Sequence, residues 1–231
     1  MLRLDGVVLE QDAFRLTANW AAAAGERIAI IGPSGAGKST LLAAIAGFFA
    51  PVAGRISWQG QELGRLRPGD RPVSMLFQDQ NLFPHLTLAQ NLGLGLSPDL
   101  RLNQADAARI EAALSRVGLA GLSLRKPAQL SGGQQSRAAL ARALLRARPI
   151  LLLDEPFAAL GPALKAEMLD LVAEVAAETG ALVLLVTHDP ADAQRFATKT
   201  VLLAEGRAEP PQETRALFAA PPPALRAYLG G

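Results

Sequence analysis

The chain has 231 residues, half of them apolar, and a formal net charge of +2 at pH 7. This length can bury a sizeable core, and so small a charge gives no indication of a nucleic-acid partner. Because cysteine is absent, disulfides and thiolate metal sites are excluded.

Short apolar runs alternate with helical patterns along the chain. Because these runs are almost continuously apolar, they predict strands buried on both faces of a mainly parallel sheet. The predicted strands are Arg27–Ile31, Val73–Phe77, Ile150–Leu153, Leu182–Thr187 and Thr200–Leu203. The predicted helices are Lys38–Ala46, Gln134–Ala147 and Pro162–Glu178. The alternation predicts an α/β fold.

Three segments depart from this alternation. The stretch GRISWQGQEL predicts a hairpin, with Leu2–Leu9 beside it, and hence an N-terminal antiparallel β subdomain. The stretch from Asp79 to Lys126 has no convincing buried strand and one amphipathic helix, Gln104–Val117, which predicts a helical insertion. The tail after Gly206 predicts one short helix on the surface.

These patterns lead us to expect a single domain over residues 1–231, with a core at 1–78 and 148–231 and a helical subdomain at 79–147. We expect no C-terminal regulatory domain. The N-terminus lacks the pattern of a signal peptide, and the apolar runs are far shorter than the roughly 20 residues of a membrane span. We therefore expect a chain that is neither exported nor membrane-spanning.

A phosphate-binding loop is predicted by GPSGAGKST, which fits GxxxxGK[ST] between a predicted strand and a predicted helix. Glycines let backbone N–H groups turn toward phosphate oxygens; Lys38 would reach the β- and γ-phosphates, and the Ser39 hydroxyl would be a Mg²⁺ ligand. The predicted nucleotide-binding residues are Gly32, Pro33, Ser34, Gly35, Ala36, Gly37, Lys38, Ser39 and Thr40. The motif alone indicates nucleoside triphosphate binding, since kinases, GTPases and motor ATPases share it.

Two adjacent acids, Asp154 and Glu155, end the predicted strand ILLL. In a phosphate-loop protein, an acid at this place holds Mg²⁺ directly or through water, and the cation lowers the cost of a second carboxylate beside it. We predict that Asp154 is a metal ligand and that Glu155 orients or deprotonates the attacking water. The alternative, a solvated pair of acids at the surface, is less favoured once the phosphate loop is present.

A second anion site is predicted by LSGGQQSRAALARAL. Ser131 is a natural N-cap, Gly132 and Gly133 expose backbone N–H groups, and the helix that begins near Gln134 directs its positive end outward. Because this site lies on a different subdomain from the phosphate loop, the two need not face one nucleotide within one molecule. An ordinary capped helix with a flexible entry is the alternative.

The order of GPSGAGKST, LSGGQ, ILLLDEP and THD resembles the ATP-binding subunits of ABC transporters over nearly the whole chain. The resemblance implies an ABC-type ATPase domain of the P-loop NTPase fold that uses ATP and Mg²⁺. It implies a head-to-tail dimer in which each ATP lies between one copy's phosphate loop and the other copy's signature. The signature residues are Ser131, Gly132, Gly133 and Gln134.

Further roles carry over from this resemblance. Gln78 matches the glutamine that touches the Mg²⁺ or the attacking water, and His188 matches the histidine that contacts the γ-phosphate. The segment Asp79–Leu96 corresponds to the groove for a coupling helix of a membrane subunit. The implied partners are a second copy of the chain, an integral membrane permease and, indirectly, a periplasmic solute-binding protein, but no nucleic acid. The implied location is peripheral, at the cytoplasmic face of the inner membrane.

Within the family, RPVSMLFQDQNLFPHLTLAQNLGLGL and IAGFFAP resemble the ATP-binding proteins of bacterial thiamine importers. This likeness implies an importer ATPase for thiamine, although such a subunit does not touch the vitamin. The alternatives are an importer ATPase for another small solute and a soluble, non-transport ABC ATPase. A P-loop kinase or GTPase would leave LSGGQ unexplained.

The chain departs from the family pattern in three places, of which the pair Gln135 and Ser136 after the signature is expected to have little effect. Where relatives stack the adenine on an aromatic side chain, usually Tyr, this chain has Gln11 and Asp12, and Phe14 is the aromatic candidate. Gly161 stands where relatives have an Asp that reaches across the dimer. We therefore expect weakened base selectivity and looser coupling between the two ATP sites.

Overall fold

The computed structural model describes residues 1–79 and 81–230. Gln80, which belongs to the predicted Asp79–Leu96 groove, and Gly231 lie outside the described residues. Within that part of the chain, the strands are β1 (Leu2–Gln11), β2 (Phe14–Ala22), β3 (Arg27–Ile31), β4 (Ala53–Trp58), β5 (Gln61–Glu62), β6 (Val73–Leu76), β7 (Ile150–Asp154), β8 (Leu182–Val186), β9 (Lys199–Ala204), β10 (Arg207–Ala208) and β11 (Gln212–Glu213). The helices are α1 (Lys38–Ala46), α2 (Leu88–Gly93), α3 (Gln104–Arg116), α4 (Gly132–Leu145), α5 (Pro162–Thr179), α6 (Pro190–Phe196), α7 (Thr214–Ala219) and α8 (Pro223–Leu229).

The core is a parallel sheet in the order β9-β3-β8-β7-β6. All five residues of β7 and all five of β8 are buried, which confirms that these strands are covered on both faces. The predicted strands agree with the observed ones to within one residue at each end. In this sheet the carboxyl ends of neighbouring strands meet at one edge, where open α/β sheets bind ligands.

The N-terminal half forms an antiparallel layer. β1 pairs with β2 and β4, and β4 continues through the predicted hairpin into β5. β2 was not predicted, because its inward-facing positions include Ala18 and Ala22, whose small side chains give a weak alternation. The two-residue strand β10 pairs with both β2 and β9, and so joins the antiparallel layer to the parallel core in one continuous sheet.

Helices α2, α3 and α4 lie between β6 and β7, and no strand occurs among the described residues 81–147. α3 follows the predicted segment closely. α2 was not predicted, since it has six residues and shows too little periodicity to detect, although Thr87 and Gln90 form a capping box at its start. α4 begins two residues before its predicted start, directly after the predicted N-cap Ser131.

The C-terminal tail differs from its prediction. It contains two short helices, α7 and α8, instead of one, because the intervening prolines interrupt a pattern that is already short. Its expected surface location is also wrong in part: Leu225 is fully buried and Leu217 nearly so, both within the main core cluster. As for membrane insertion, none of the helices in residues 1–79 and 81–230 combines the length and apolarity needed to cross a bilayer.

Candidate functional site

A cavity of about 820 Å³ lies at the carboxyl edge of the parallel sheet. The phosphate loop follows β3, the acidic pair ends β7, and His188 follows β8. In the sheet, β8 lies between β3 and β7. The sheet order therefore brings three separate sequence motifs to one place. The lining residues are Gln11, Asp12, Ala13, Phe14, Gly32, Ser34, Gly35, Gly37, Lys38, Ser39, Thr40, Gln78, Glu155, His188 and Tyr228. Of the predicted loop residues Gly32–Thr40, only Pro33 and Ala36 are absent from this lining.

Two positions of the phosphate loop must be glycine, because other parts of the chain lie very close to them. A Cβ atom at Gly32 would collide with the carbonyl oxygen of Leu203, and one at Gly37 would collide with the ring of Phe14. Both residues also have positive φ, 154° and 95°. The loop can therefore bring its backbone N–H groups into the cavity only because these positions carry no side chain.

Lys38 is held inside the loop. Its ammonium donates to the carbonyl oxygens of Gly32 at 2.8 Å and Pro33 at 2.9 Å, and the residue is 8% exposed. Burial lowers the pKa of Lys38, while the carboxylates of Glu155 and Asp154 act in the opposite direction. The carbonyls and the two acids together keep a positive charge at the floor of the cavity, where a phosphate would meet it.

The residues predicted to hold a metal provide hard oxygen donors. Ser39 Oγ donates to Asp154 Oδ1 at 3.0 Å, and Asp154 is 6% exposed. Burial raises the pKa of Asp154, and the hydrogen bond from Ser39 opposes that shift. Gln78 lines the same cavity. In residues 1–79 and 81–230 no group of three His, Cys, Asp or Glu side chains is arranged to hold a metal ion. A cation here would therefore rely on this hydroxyl–carboxylate pair, on Gln78 and on phosphate oxygens, which suits Mg²⁺.

Glu155 and His188 are in contact just beyond the carboxyl end of β7. His188 Nδ1 lies 3.3 Å from Glu155 Oε2, and both side chains line the cavity. Glu155 adopts a left-handed backbone conformation with φ 45°, which is rare for a residue with a side chain. Its N–H bonds to the Val186 carbonyl at 3.1 Å, and this anchors the turn. A carboxylate on a strained backbone, in contact with a histidine at the wall of a cavity, is typical of a reaction centre.

The signature residues lie elsewhere. Ser131 and Gln134 form a capping box, with the Ser131 hydroxyl accepting from the Gln134 N–H at 3.3 Å. Ser131 and Gly132 are exposed, and nothing within 4 Å would meet a Cβ atom at Gly132. None of the four signature residues lines the cavity of its own chain. The open helix start is therefore available to another molecule.

Gly161 is the N-cap of α5, with φ −65° and ψ 157°. Nothing lies within 4 Å of a Cβ atom placed there, so the position can accept a side chain. One turn further, Lys165 Nζ contacts Asp189 at 2.5 Å and Asp192 at 2.9 Å. This ion-pair cluster ties the start of α5 to the turn that follows His188.

Sequence reasoning did not predict a polar residue of the cavity, Tyr228, and left the role of Phe14 open. Tyr228, from the C-terminal helix α8, lines the cavity although no motif includes it. The sequence offered one signal, since Tyr228 is the chain's single tyrosine. Phe14 was noted as an aromatic candidate, and the structure places its ring against Gly37 of the phosphate loop.

Comparison with known proteins gives consistent matches. The profile of the ABC transporter family matches residues 17–158. The thiamine import ATP-binding protein ThiQ of Cereibacter sphaeroides is 74% identical over 230 residues, which is 100% of this chain and 100% of that protein. ThiQ of Ruegeria sp. is 59% identical over the same coverage. The solved dimer of the ATP-binding cassette MJ0796 with ADP and Pi has a TM-score of 0.83 and 31% identity, covering 93% of this chain and 99% of that one.

The predicted α/β fold with a phosphate loop agrees with the architecture of this solved cassette. The family profile spans more than half of the chain, and the two ThiQ relatives cover all of it. The chain therefore belongs to the ABC transporter family and is one of its ATPases.

Proposed function

We propose that this protein is the ATP-hydrolysing, energy-coupling subunit of a bacterial thiamine importer. The observation that carries the proposal is the single cavity in which Lys38, Ser39, Gln78, Glu155 and His188 come together. Full-length identity of 74% to a thiamine import ATP-binding protein supports the choice of solute. An importer for another small solute remains the second candidate, because a subunit of this kind does not contact the transported molecule.

The chain's residues divide the work of hydrolysis. Lys38 would bind the β- and γ-phosphates, with N–H groups of the loop around them. Glu155 would orient the attacking water and accept its proton, and His188, 3.3 Å away, would contact the γ-phosphate. Ser39, Asp154 and Gln78 would hold Mg²⁺, which neutralises charge on the phosphates when bound.

A head-to-tail dimer would complete the site. The signature helix start is exposed and outside its own chain's cavity, and the related cassette MJ0796 is a dimer in its solved structure. In such a dimer each nucleotide would lie between one copy's phosphate loop and the partner's Ser131–Gln134. The exposed N–H groups at the start of α4 would then face phosphate oxygens. We assign residues 1–78 and 148–231 to the core and 79–147 to the helical subdomain.

The groove for the permease would lie beside Gln78. Phe83 is 46% exposed and Phe48 59% exposed, and the Phe48 ring lies 5.6 Å from that of Phe77. These exposed rings would form part of the surface that receives the coupling helix. A coupling helix seated here would hold the protein at the cytoplasmic face of the inner membrane and would link its movement to the nucleotide through Gln78.

Uptake of labelled thiamine tests the solute. A strain lacking this protein should lose high-affinity thiamine uptake, wild-type protein should restore it, and the Glu155→Gln variant should not. Uptake of an unrelated vitamin serves as the control. If thiamine uptake is normal in the deletion strain, the solute assignment is wrong, although the ATPase assignment would stand.

Replacing Phe14 with alanine should weaken ATP binding several-fold, since one aromatic contact contributes roughly 1 kcal/mol. Because the usual tyrosine is absent, we also expect hydrolysis of GTP at no less than about 1% of the ATP rate, a limit that corresponds to about 2.7 kcal/mol. The rates of GTP and ATP hydrolysis can both be measured by phosphate release. Arg15→Ala is the matched control, because Arg15 pairs with Glu10 at the surface. Unchanged ATP affinity in Phe14→Ala would exclude the ring from base binding.

Replacing Gly161 with aspartate should raise the cooperativity of ATP hydrolysis, because it returns a carboxylate to the face that would meet the partner's site. The fold should tolerate the change, since the position is open and Asp is a good N-cap. Gly161→Ser is the control, because serine caps equally well without a charge. If hydrolysis rate, Hill coefficient and dimer affinity are all unchanged, Gly161 is only the start of a helix.

A further inference from the structure

The C-terminal helix α8 reaches the nucleotide cavity from outside the sequence motifs. Leu225 is fully buried in the main core cluster and fixes the helix in place. Tyr228 lies three residues later, so it shares the inward face of α8. Its side chain packs against the same core cluster and also lines the cavity with Glu155 and His188. The tail therefore contributes a polar group beside the reaction centre.

The hydroxyl of Tyr228 donates a hydrogen bond to the backbone carbonyl of His188 at 2.7 Å. This distance is the usual one for an O–H donor. Burial raises the pKa of Tyr228, and the carboxylates of Glu155 and Asp189 act in the same direction. The hydroxyl therefore stays protonated and remains a donor throughout the neutral range.

The backbone of His188 is what needs to be held. The imidazole is 63% exposed at its side chain, so packing does little to fix it, and its 3.3 Å approach to Glu155 depends on where the backbone lies. The turn is anchored before His188 by the Thr187 N–H, which bonds to the Ile30 carbonyl at 3.3 Å. It is anchored after His188 by Asp189, which caps α6 and pairs with Lys165. Tyr228 fixes the residue between these two anchors.

We propose that Tyr228 is a positioning residue for ATP hydrolysis: its hydroxyl holds the backbone of His188, and thereby sets the imidazole against Glu155 and the γ-phosphate. The inference rests on the role of His188 in the proposed function. Tyr228 touches no reacting atom in this scheme and acts through His188.

Tyr228→Phe isolates the hydrogen bond, because it removes one hydroxyl and keeps the ring. We expect kcat for ATP hydrolysis to fall by about 3- to 10-fold, the range that one hydrogen bond supports, while KM for ATP changes by less than about twofold. Arg226→Ala, on the exposed side of the same helix, should leave both constants unchanged. A wild-type kcat in Tyr228→Phe, or a rise in KM with kcat unchanged, would overturn the proposal.

A double-mutant cycle separates positioning from a merely structural role. His188→Ala should lower kcat at least about 10-fold, and adding Tyr228→Phe to it should cause no further loss, because the residue through which Tyr228 acts is gone. If Tyr228→Phe costs the same factor in both backgrounds, it does not act through His188 and the proposal fails. If His188→Ala hydrolyses ATP normally, the assignment of His188 in the proposed function fails as well.

Discussion

Replacing Glu155 with glutamine is expected to slow ATP hydrolysis by at least about 10²-fold while ATP still binds. The amide keeps the size of the side chain but cannot accept the proton of the attacking water. Bound ATP should then persist and hold the two copies together. The rate can be measured by phosphate release, and the dimer by gel filtration with ATP present.

The matched control is Glu167→Gln, since Glu167 is an exposed acid on α5 and lies outside the cavity lining. That variant should hydrolyse ATP at the wild-type rate and should not accumulate as a dimer. Near-normal hydrolysis in Glu155→Gln would remove Glu155 from the role of general base. His188, which lines the same cavity, would then be the next candidate for that role.

Replacing Lys38 with alanine should instead lower the affinity for nucleotide by roughly 10²-fold or more, because the charge-assisted bonds that Lys38 would make to two phosphates are removed. The change also leaves the carbonyls of Gly32 and Pro33 without the donor that now bridges them. Titration of a fluorescent ATP analogue measures the loss. The defect of Lys38→Ala should appear in nucleotide binding, whereas that of Glu155→Gln should appear in the rate of hydrolysis.

Lys126→Ala is the control for removing one positive charge, since Lys126 is exposed and outside the cavity lining. Its nucleotide affinity should equal that of the wild type. If Lys38→Ala binds ATP within about twofold of the wild type, the phosphate loop does not bind phosphate as proposed, and the charge of Lys38 would serve only to hold the loop together.

Much of the fold could be predicted from the sequence, because strands buried in a parallel sheet consist of continuous apolar runs. Val73–Phe77 and Leu182–Thr187 are examples, and both are strands within one residue of their predicted ends. β2 was missed since Ala18 and Ala22 take the place of large apolar residues on its inner face. The tail was predicted to hold one short helix and has two, because each is too short for its periodicity to stand out.

The residues of the site likewise fall into those that the sequence predicted and those that it did not. Local motifs predicted that Lys38, Ser39 and Asp154 belong to the site, since each motif follows or ends a buried strand. The place of Tyr228 could not be predicted, because it depends on how α8 packs back onto the core, with Leu225 as its anchor. Contacts between residues 40 positions apart, such as that of Tyr228 with His188, leave no local pattern.

The left-handed backbone conformation of Glu155 lowers the stability of the fold at the residue that is proposed to act in hydrolysis. A residue with a side chain costs roughly 1–2 kcal/mol in that conformation, a cost that glycine avoids. A glycine at position 155 would therefore relieve the strain and would also remove the carboxylate. If Glu155 acts on the attacking water as proposed, the fold gives up part of its small margin of stability at this turn to place that carboxylate, and selection for thermostability alone would act against it.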